Sequence, residues 1–291
     1  MNDLLAAYGN LIDMIFLNSI IAYSVWLTLS ANMFSMATGG FLSLGAYTCV
    51  YLTMQHGLPF FAGAAAAALA ATAVALILGL PLLRLRGDYF ALATLAFTEV
   101  VRVVALNWES VTGGALGIFN IPKYTDTAVL LIVFVLAVYF CWALEHSPEG
   151  RARRSMRRDE TPAAAMGVNI FTHKLALFAA SGFLAGLAGA LAGHLNYFIG
   201  PNDFGLMRTI DALAYPILGG VNSLAGPALG AAVFTIFPEF LRFSNQMREI
   251  ILGAVFVLAV LLLPNGLTSF RGFRGSRRRE RRMGVREKGG G

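Results

Sequence analysis

The sequence predicts an all-α, polytopic integral membrane protein of about eight to nine transmembrane or re-entrant helices, and three observations carry that prediction. Of 291 residues, 57% are hydrophobic and only 13% charged, against roughly 25% charged in soluble domains, and the mean hydropathy is +0.67. Apolar runs of about 20 residues, the length that crosses a hydrocarbon core, recur along nearly the whole chain. The runs are continuous rather than alternating, which selects helices over barrel strands, the two architectures that satisfy a backbone in lipid.

Apolar length set against polar and Pro/Gly punctuation gives the segments 11–33, 35–54, 60–83, 88–106, 127–145, 173–197, 207–221, 226–241 and 249–264. Segment 35–54 opens on the small residues Thr38-Gly39-Gly40-Phe41-Leu42-Ser43-Leu44-Gly45, and 207–221 is short and contains Pro216, Gly219 and Gly220. Each is either a full span or a re-entrant or broken helix, tolerated where its free backbone groups face protein or water. No Lys or Arg precedes Arg84, so the basic region of a cleavable signal peptide is missing and the first stretch is expected to stay in the mature protein. Cys49 and Cys141 lie far apart inside apolar runs and read as packing residues rather than a disulfide or metal pair.

Charge sets the expected orientation. Five arginines (Arg151, Arg153, Arg154, Arg157, Arg158) fall in the loop 146–172, and nine Lys or Arg follow Pro264. Both regions are expected to be cytoplasmic, as is the turn with Arg84 and Arg86, whereas 107–126, with Lys123 as its only basic residue, belongs outside. Nine crossings then place the N-terminus outside and the C-terminus inside. The chain divides into a membrane domain, 1–268, and a basic, Gly-rich tail, 269–291, without apolar periodicity. The tail suits contact with anionic membrane lipids, and its charges are explained without nucleic acid.

Catalytic signatures are missing from the sequence: it has no phosphate-binding loop, no H-E-x-x-H and no G-x-S-x-G elbow. Energy for uphill transport must come from a gradient or another subunit. Ionisable residues within the spans are few, as expected when a central charge costs at least ~2.5 kcal/mol. Glu99 and Arg102, three apart on one helix face, either brace the bundle as a pair or line a polar pathway, the structural role being favoured. His194 and Asn196, just before Gly200-Pro201-Asn202-Asp203, mark either a helix end and turn or a contact for a partner or arriving solute. Asp211 is placed near an outer vestibule. The string Gly39 to Gly45 finds an echo in Gly219-Gly220-Val221-Asn222-Ser223-Leu224-Ala225, either close helix packing or a repeat of the kind that holds a transport site. In the basic loop, Asp159-Glu160-Thr161-Pro162 through Ala165-Met166-Gly167 carries the punctuation of a short helix, too short to hold alone in water. It reads as a helix seated on a partner, or as a linker lying on the membrane.

Several strings resemble the branched-chain amino-acid ABC transporter permease family of the Liv type. They are Leu80-Pro81 through Arg86-Gly87-Asp88-Tyr89-Phe90 to Phe97, Thr112-Gly113-Gly114 with Gly117-Ile118, Asp159-Glu160 through Gly167-Val168-Asn169, Ala185 to Leu191, Gly200-Pro201 to Phe204-Gly205, Leu218-Gly219-Gly220 to Gly226-Pro227, and Pro264-Asn265-Gly266-Leu267. The likeness covers roughly 35–268. It implies a non-catalytic subunit of the bacterial inner membrane, without a cofactor, that pairs with a homologous second permease, two cytoplasmic ABC ATPases and an external solute-binding protein. It further implies that 159–169 is the coupling helix, with Glu160, Ala163, Ala164 and Gly167 meeting the ATPase. In the general pattern a Glu stands six residues before the Gly; here Thr161 holds that place, Glu160 stands one earlier, and Gly167 matches. The translocation pathway is expected along Thr38, Gly39, Gly40, Ser43, Gly219 and Gly220, carrying a small-molecule solute: a branched-chain or related amino acid, with urea, short amides or other amino acids as the alternative. A stand-alone carrier or channel is the competing class.

Overall fold

The computed structural model describes residues 2–85, 87–158 and 168–240, with 253 and 266. Ten helices follow one another in these residues: α1 Asn2–Leu29, α2 Thr38–Gln55, α3 Phe60–Leu82, α4 Asp88–Asn107, the single turn α5 Glu109–Thr112, α6 Thr127–His146, α7 Pro148–Arg158, α8 Ile170–Leu195, α9 Leu206–Gly219 and α10 Gly226–Phe240. Short 3-10 turns occupy Gly114–Leu116 and Pro201–Phe204. Among the described residues there is no strand, only an isolated antiparallel bridge between Ile118 and Ile199.

Five helices are long and apolar enough to cross a membrane: Gly9–Leu29, Phe60–Leu82, Asp88–Asn107, Thr127–His146 and Ile170–Leu195. The others are shorter. The 18 residues of α2 and 14 of α9 extend roughly 27 and 21 Å at 1.5 Å per residue, below a hydrocarbon thickness of about 30 Å, and α10 is described as far as Phe240. The first eight expected segments each contain a helix. The ninth, 249–264, and the tail 269–291 lie outside the described residues, apart from Gly253.

The bundle is organised around α8, which packs against α1, α2 and α3. Close approach replaces bulk here, because lipid offers apolar helices no hydrophobic reason to associate and small residues let backbones touch. A Cβ added to Gly45 would run into the Gly186 backbone, one on Gly189 into the Leu42 carbonyl, and one on Gly182 would lie 2.7 Å from the Ala75 methyl. The string Ala185 to Leu191 is thus the contact surface between α8 and its neighbours α2 and α3. Larger side chains fill the other side: Phe178 meets Phe41 and Phe90 edge to face at 5.5 and 5.9 Å. Buried Ser24 and Ser181 join α1 to α8 at 3.3 Å. Cys49 and Cys141 are both buried and free. By contrast α4 and α6 remain largely uncovered.

Helix direction alternates so that the α3–α4 turn with Arg84, helix α7, the end of α1 and the turn 220–225 share one end of the bundle, called here the arginine end. Residues 108–126 and 196–200 clasp each other at the opposite, far end. There Ile118 and Ile199 exchange backbone hydrogen bonds of 3.0 and 3.1 Å. Gly117 sits at φ +75° against the Ile199 carbonyl, where any side chain would collide; both the backbone angle and the space require glycine.

The loop 146–172 begins with structure that the arginine count did not reveal. Helix α7 runs Pro148–Arg158, with Pro at the first helical position and Ser147 Oγ accepting from the Gly150 N–H at 3.3 Å. Asn169 then caps α8, its side chain accepting from the Thr172 N–H at 3.2 Å. The expected coupling residues Glu160, Ala163, Ala164 and Gly167 lie between, outside the described residues.

Candidate functional site

Between α1 and α2 the chain is not helical, and it runs through the interior. Residues 33–37 take no regular structure, yet Met33, Ser35 and Ala37 are buried. Backbone groups in such a place must find partners, and α4 supplies them through two threonines one turn apart. The Met36 N–H donates to Thr94 Oγ1 at 2.9 Å, Thr98 Oγ1 donates to the Met36 carbonyl at 2.8 Å, and the Gly40 N–H reaches Thr98 Oγ1 at 3.3 Å. Thr94 lies six residues into α4 and Thr98 ten, roughly 9 and 15 Å along its axis, so α2 starts well inside the bundle. Helix α2 itself is continuous from Thr38 to Gln55, and the non-helical residues precede it.

A second interruption meets the first. The turn Gly200–Gly205 leads into α9, and the start of α2 faces it: a Cβ on Gly39 would strike the Phe204 carbonyl and Thr209 Oγ1 and come within 2.9 Å of Thr98 Cγ2. One and two turns further along the same face of α2 come Ser43 and Tyr47, whose ring packs on Phe204 with centroids 6.3 Å apart. Ser43 Oγ and the Tyr47 hydroxyl are buried with no hydrogen-bond partner among the described residues. Unpartnered buried hydroxyls are costly, and Thr125 Oγ1 in the far-end loop stands in the same position among the described residues.

Thr38, Gly39, Gly40 and Ser43 therefore gather at one junction with Thr98, Phe204 and Thr209. Gly219 and Gly220 are not part of it. Gly219 stands ten residues beyond Thr209, roughly 15 Å away along α9, at the arginine end, where an added Cβ would strike the Gly226 carbonyl, so that glycine lets α9 and α10 pack backbone to backbone. The turn that follows is held by α1, Trp26 Nε1 donating to the Val221 carbonyl and the Tyr23 hydroxyl to the Leu224 carbonyl, both at 2.9 Å.

Glu99 and Arg102 form the expected ion pair at 2.7 Å, and Arg102 Nη1 also donates to Asn202 Oδ1 at 3.1 Å. His194 is fully buried: Nδ1 lies 2.9 Å from the Pro122 carbonyl, Nε2 3.2 Å from Thr53 Oγ1, and Phe60 and Tyr124 pack on the ring. A carbonyl only accepts, so Nδ1 carries the proton. Locked this way, His194 ties α8 to α2 and the far-end loop and is closed to partner and solute. Asn196 is exposed beside it.

Two arginines escaped the sequence reading. Arg208 of α9 donates to buried Asn18 of α1 at 2.9 Å, and Asn18 donates to Thr235 of α10 at 2.9 Å, a polar tie across three helices. Arg153 of α7, counted with the basic loop, is instead only 3% exposed. Its guanidinium lies 4.4 Å over the Trp26 ring, donates to Ser30 Oγ at 2.9 Å and pairs with Glu145 at 3.6 Å. Pro148 after Ser147 is a signal that could have marked the start of α7; nothing in the sequence marks Arg153 as the arginine that lands on its inward face. Among the described residues no cluster of three His, Cys, Asp or Glu could hold a metal ion.

A helical bundle with five spans long and apolar enough to cross a membrane, and hydroxyls bonding a buried non-helical stretch, is a multi-pass membrane protein. Residues 8–260 match the family described as branched-chain amino acid transport system, permease component, and the chain belongs to that family. It is 32% identical over 271 residues to the high-affinity branched-chain amino acid transport system permease protein LivM of Escherichia coli K12, covering 81% of this chain and 64% of that relative. It is also 28% identical over 179 residues to the permease protein LivH of the same strain, covering 59% and 58%. A probable LivM permease protein of Methanocaldococcus jannaschii is 27% identical over 217 residues, covering 65% and 62%. The chain thus spans somewhat under two thirds of the length of these relatives. No solved structure matches it.

Proposed function

We propose that this chain is the membrane-spanning permease subunit of an ATP-binding-cassette importer that carries branched-chain or related amino acids across the bacterial inner membrane. The observation that carries this reading is the family match over residues 8–260, joined to relatives whose names give branched-chain amino acid transport. Its partners are a homologous second permease, two cytoplasmic ATPases that hydrolyse the nucleotide, and an external solute-binding protein. Membrane lipid surrounds residues 1–268, the arginine end faces the cytoplasm, and the tail 269–291 lies against anionic headgroups.

In this mechanism the chain makes and breaks no covalent bond. Closure of the ATPases pushes on 159–169 through Glu160, Ala163, Ala164 and Gly167, and the bundle tilts between two accesses. The junction at Thr38, Gly39, Gly40 and Ser43 is the part that opens to the solute; Gly219 and Gly220, packed against Gly226 at the arginine end, stand outside it. The buried non-helical stretch 33–37, leading to a helix that starts inside the bundle, supports this assignment, because transport sites form where spans are discontinuous.

Reconstitution with and without the ATPase subunits tests the proposal. ATP-dependent uptake in the complex, and none by this chain alone, is the expected result; uptake by the chain alone sinks it. Gly167→Arg is expected to leave the protein inserted and folded yet abolish ATP-dependent uptake, since the bulky side chain obstructs seating of the coupling helix. Normal uptake in that variant removes the coupling assignment.

A further inference from the structure

Charges inside a membrane span need water or protein around them, and the Glu99–Arg102 pair is only partly provided for by this chain. Glu99 stands eleven residues beyond Asp88 in the 20-residue α4, about 16 Å along the helix, near the middle of a hydrocarbon layer about 30 Å thick. Yet the side chains of Glu99 and Arg102 keep 34% and 31% of their surface exposed. Arg102 does not extend toward the helix end, as a lipid-facing arginine does, but turns to Glu99 and to Asn202.

The same face continues onto α9. Arg102 Cδ lies 3.1 Å from where a Cβ of Gly205 would be, and Thr98 of α4 and Thr209 of α9 flank Gly39 together, so the two helices stand side by side with the 200–205 turn between them. On α9, Met207 and Ile210 are 75% and 43% exposed, and half-buried Asp211 stands beside them, within electrostatic reach of Arg208 one turn back. Apolar side chains on this face are at home in lipid or in protein; three charged groups are not. The exposed face of α6 behaves differently. Leu131, Ile132, Val135 and Leu136 stand out from it, and no charge occurs between Thr127 and Leu144, as lipid contact requires.

We infer that the face made by α4, the 200–205 turn and α9 is a water-lined seam along which the solute passes, and that its charges receive a zwitterion. A solute carboxylate exchanges places with Glu99 at Arg102, while the solute ammonium takes Glu99 or Asp211; no net charge changes. A lone anion or cation leaves one member of the pair without a partner. The water-lined character rests on geometry alone, and the zwitterion rests on the transport role proposed above.

Thiol accessibility in the full chain tests both. In membrane vesicles, with Cys49 and Cys141 replaced by alanine, cysteines at exposed Val103 and Ile210 are expected to react with a charged methanethiosulfonate at least about tenfold faster than cysteines at Leu131 and Val135 of α6. Equal rates overturn the seam. Excess L-leucine is expected to slow the reaction at position 103 several-fold, whereas choline and acetate, each bearing one of its charges, leave it unchanged. Protection by all three, or by none, overturns zwitterion recognition. Fast labelling of a chain that ATPases cannot drive supports the seam and removes only the importer reading.

Discussion

Replacing Arg153 by alanine is expected to destabilise the protein by about 3 kcal/mol, although the sequence offered Arg153 only as one of five basic residues marking a cytoplasmic loop. Its side chain is 4% exposed, so each interaction counts in a partly desolvated setting. The hydrogen bond to Ser30 Oγ at 2.9 Å involves a charged donor, worth about 1.5–3 kcal/mol. The guanidinium over Trp26 at 4.4 Å adds about 1–2 kcal/mol when shielded from water. Breaking a buried pair by removing one partner costs about 3–5 kcal/mol where the other charge is stranded. Here Glu145 is not stranded, because Arg154 remains 3.9 Å from the same carboxylate, and the expected cost falls at the lower end of that range. Arg153→Lys keeps the charge without the planar fork that spans Ser30, Trp26 and Glu145, and should recover about half of the loss. The assay is denaturant-titrated unfolding in mixed micelles, followed by tryptophan emission, since Trp26 lies directly beneath the guanidinium. A loss under about 1 kcal/mol for Arg153→Ala, or indistinguishable alanine and lysine variants, would refute this account of how α7 is fastened to α1.

Gly189→Val is expected to prevent α2 and α8 from closing, because the new Cβ meets the Leu42 carbonyl, whereas Gly9→Val meets nothing within 4 Å and should be neutral; monodispersity on size exclusion compares the two. Thr98→Val removes the donor to the Met36 carbonyl and the acceptor of the Gly40 N–H, leaving two interior backbone groups unpaired at about 1–3 kcal/mol each. Thr98→Ser, which keeps the hydroxyl, should retain most of that stability in the same unfolding assay; a Thr98→Val variant as stable as the parent beside a destabilised Thr98→Ser would show that the methyl rather than the hydroxyl matters.

Apolar run length was enough to read the helical class and the position of eight segments, because in lipid a backbone has almost no alternative to the helix. Small-residue strings marked where contacts would be tight, and the segments suspected of interruption, 35–54 and 207–221, correspond to helices of 18 and 14 residues, the first of them starting inside the bundle. Sequence spacing also paired Glu99 with Arg102, since residues three apart on a helix are neighbours. His194 was open to two readings, and only its burial between Thr53 and Pro122 chose between them.

What the sequence determined by itself was the solvent each segment requires and the local punctuation of the chain, both properties of residue type and near-neighbour order. The tertiary structure alone decided which side chains became partners across long separations: Thr94 and Thr98 with Met36, Gly39 with Phe204 and Thr209, Arg153 with Trp26. Hydropathy is summed along the chain, but a hydrogen bond depends on where two helices cross and how each is rotated. An arginine on α7 carries the same letter whether it faces water or, as Arg153 does, an indole ring from a helix more than a hundred residues earlier.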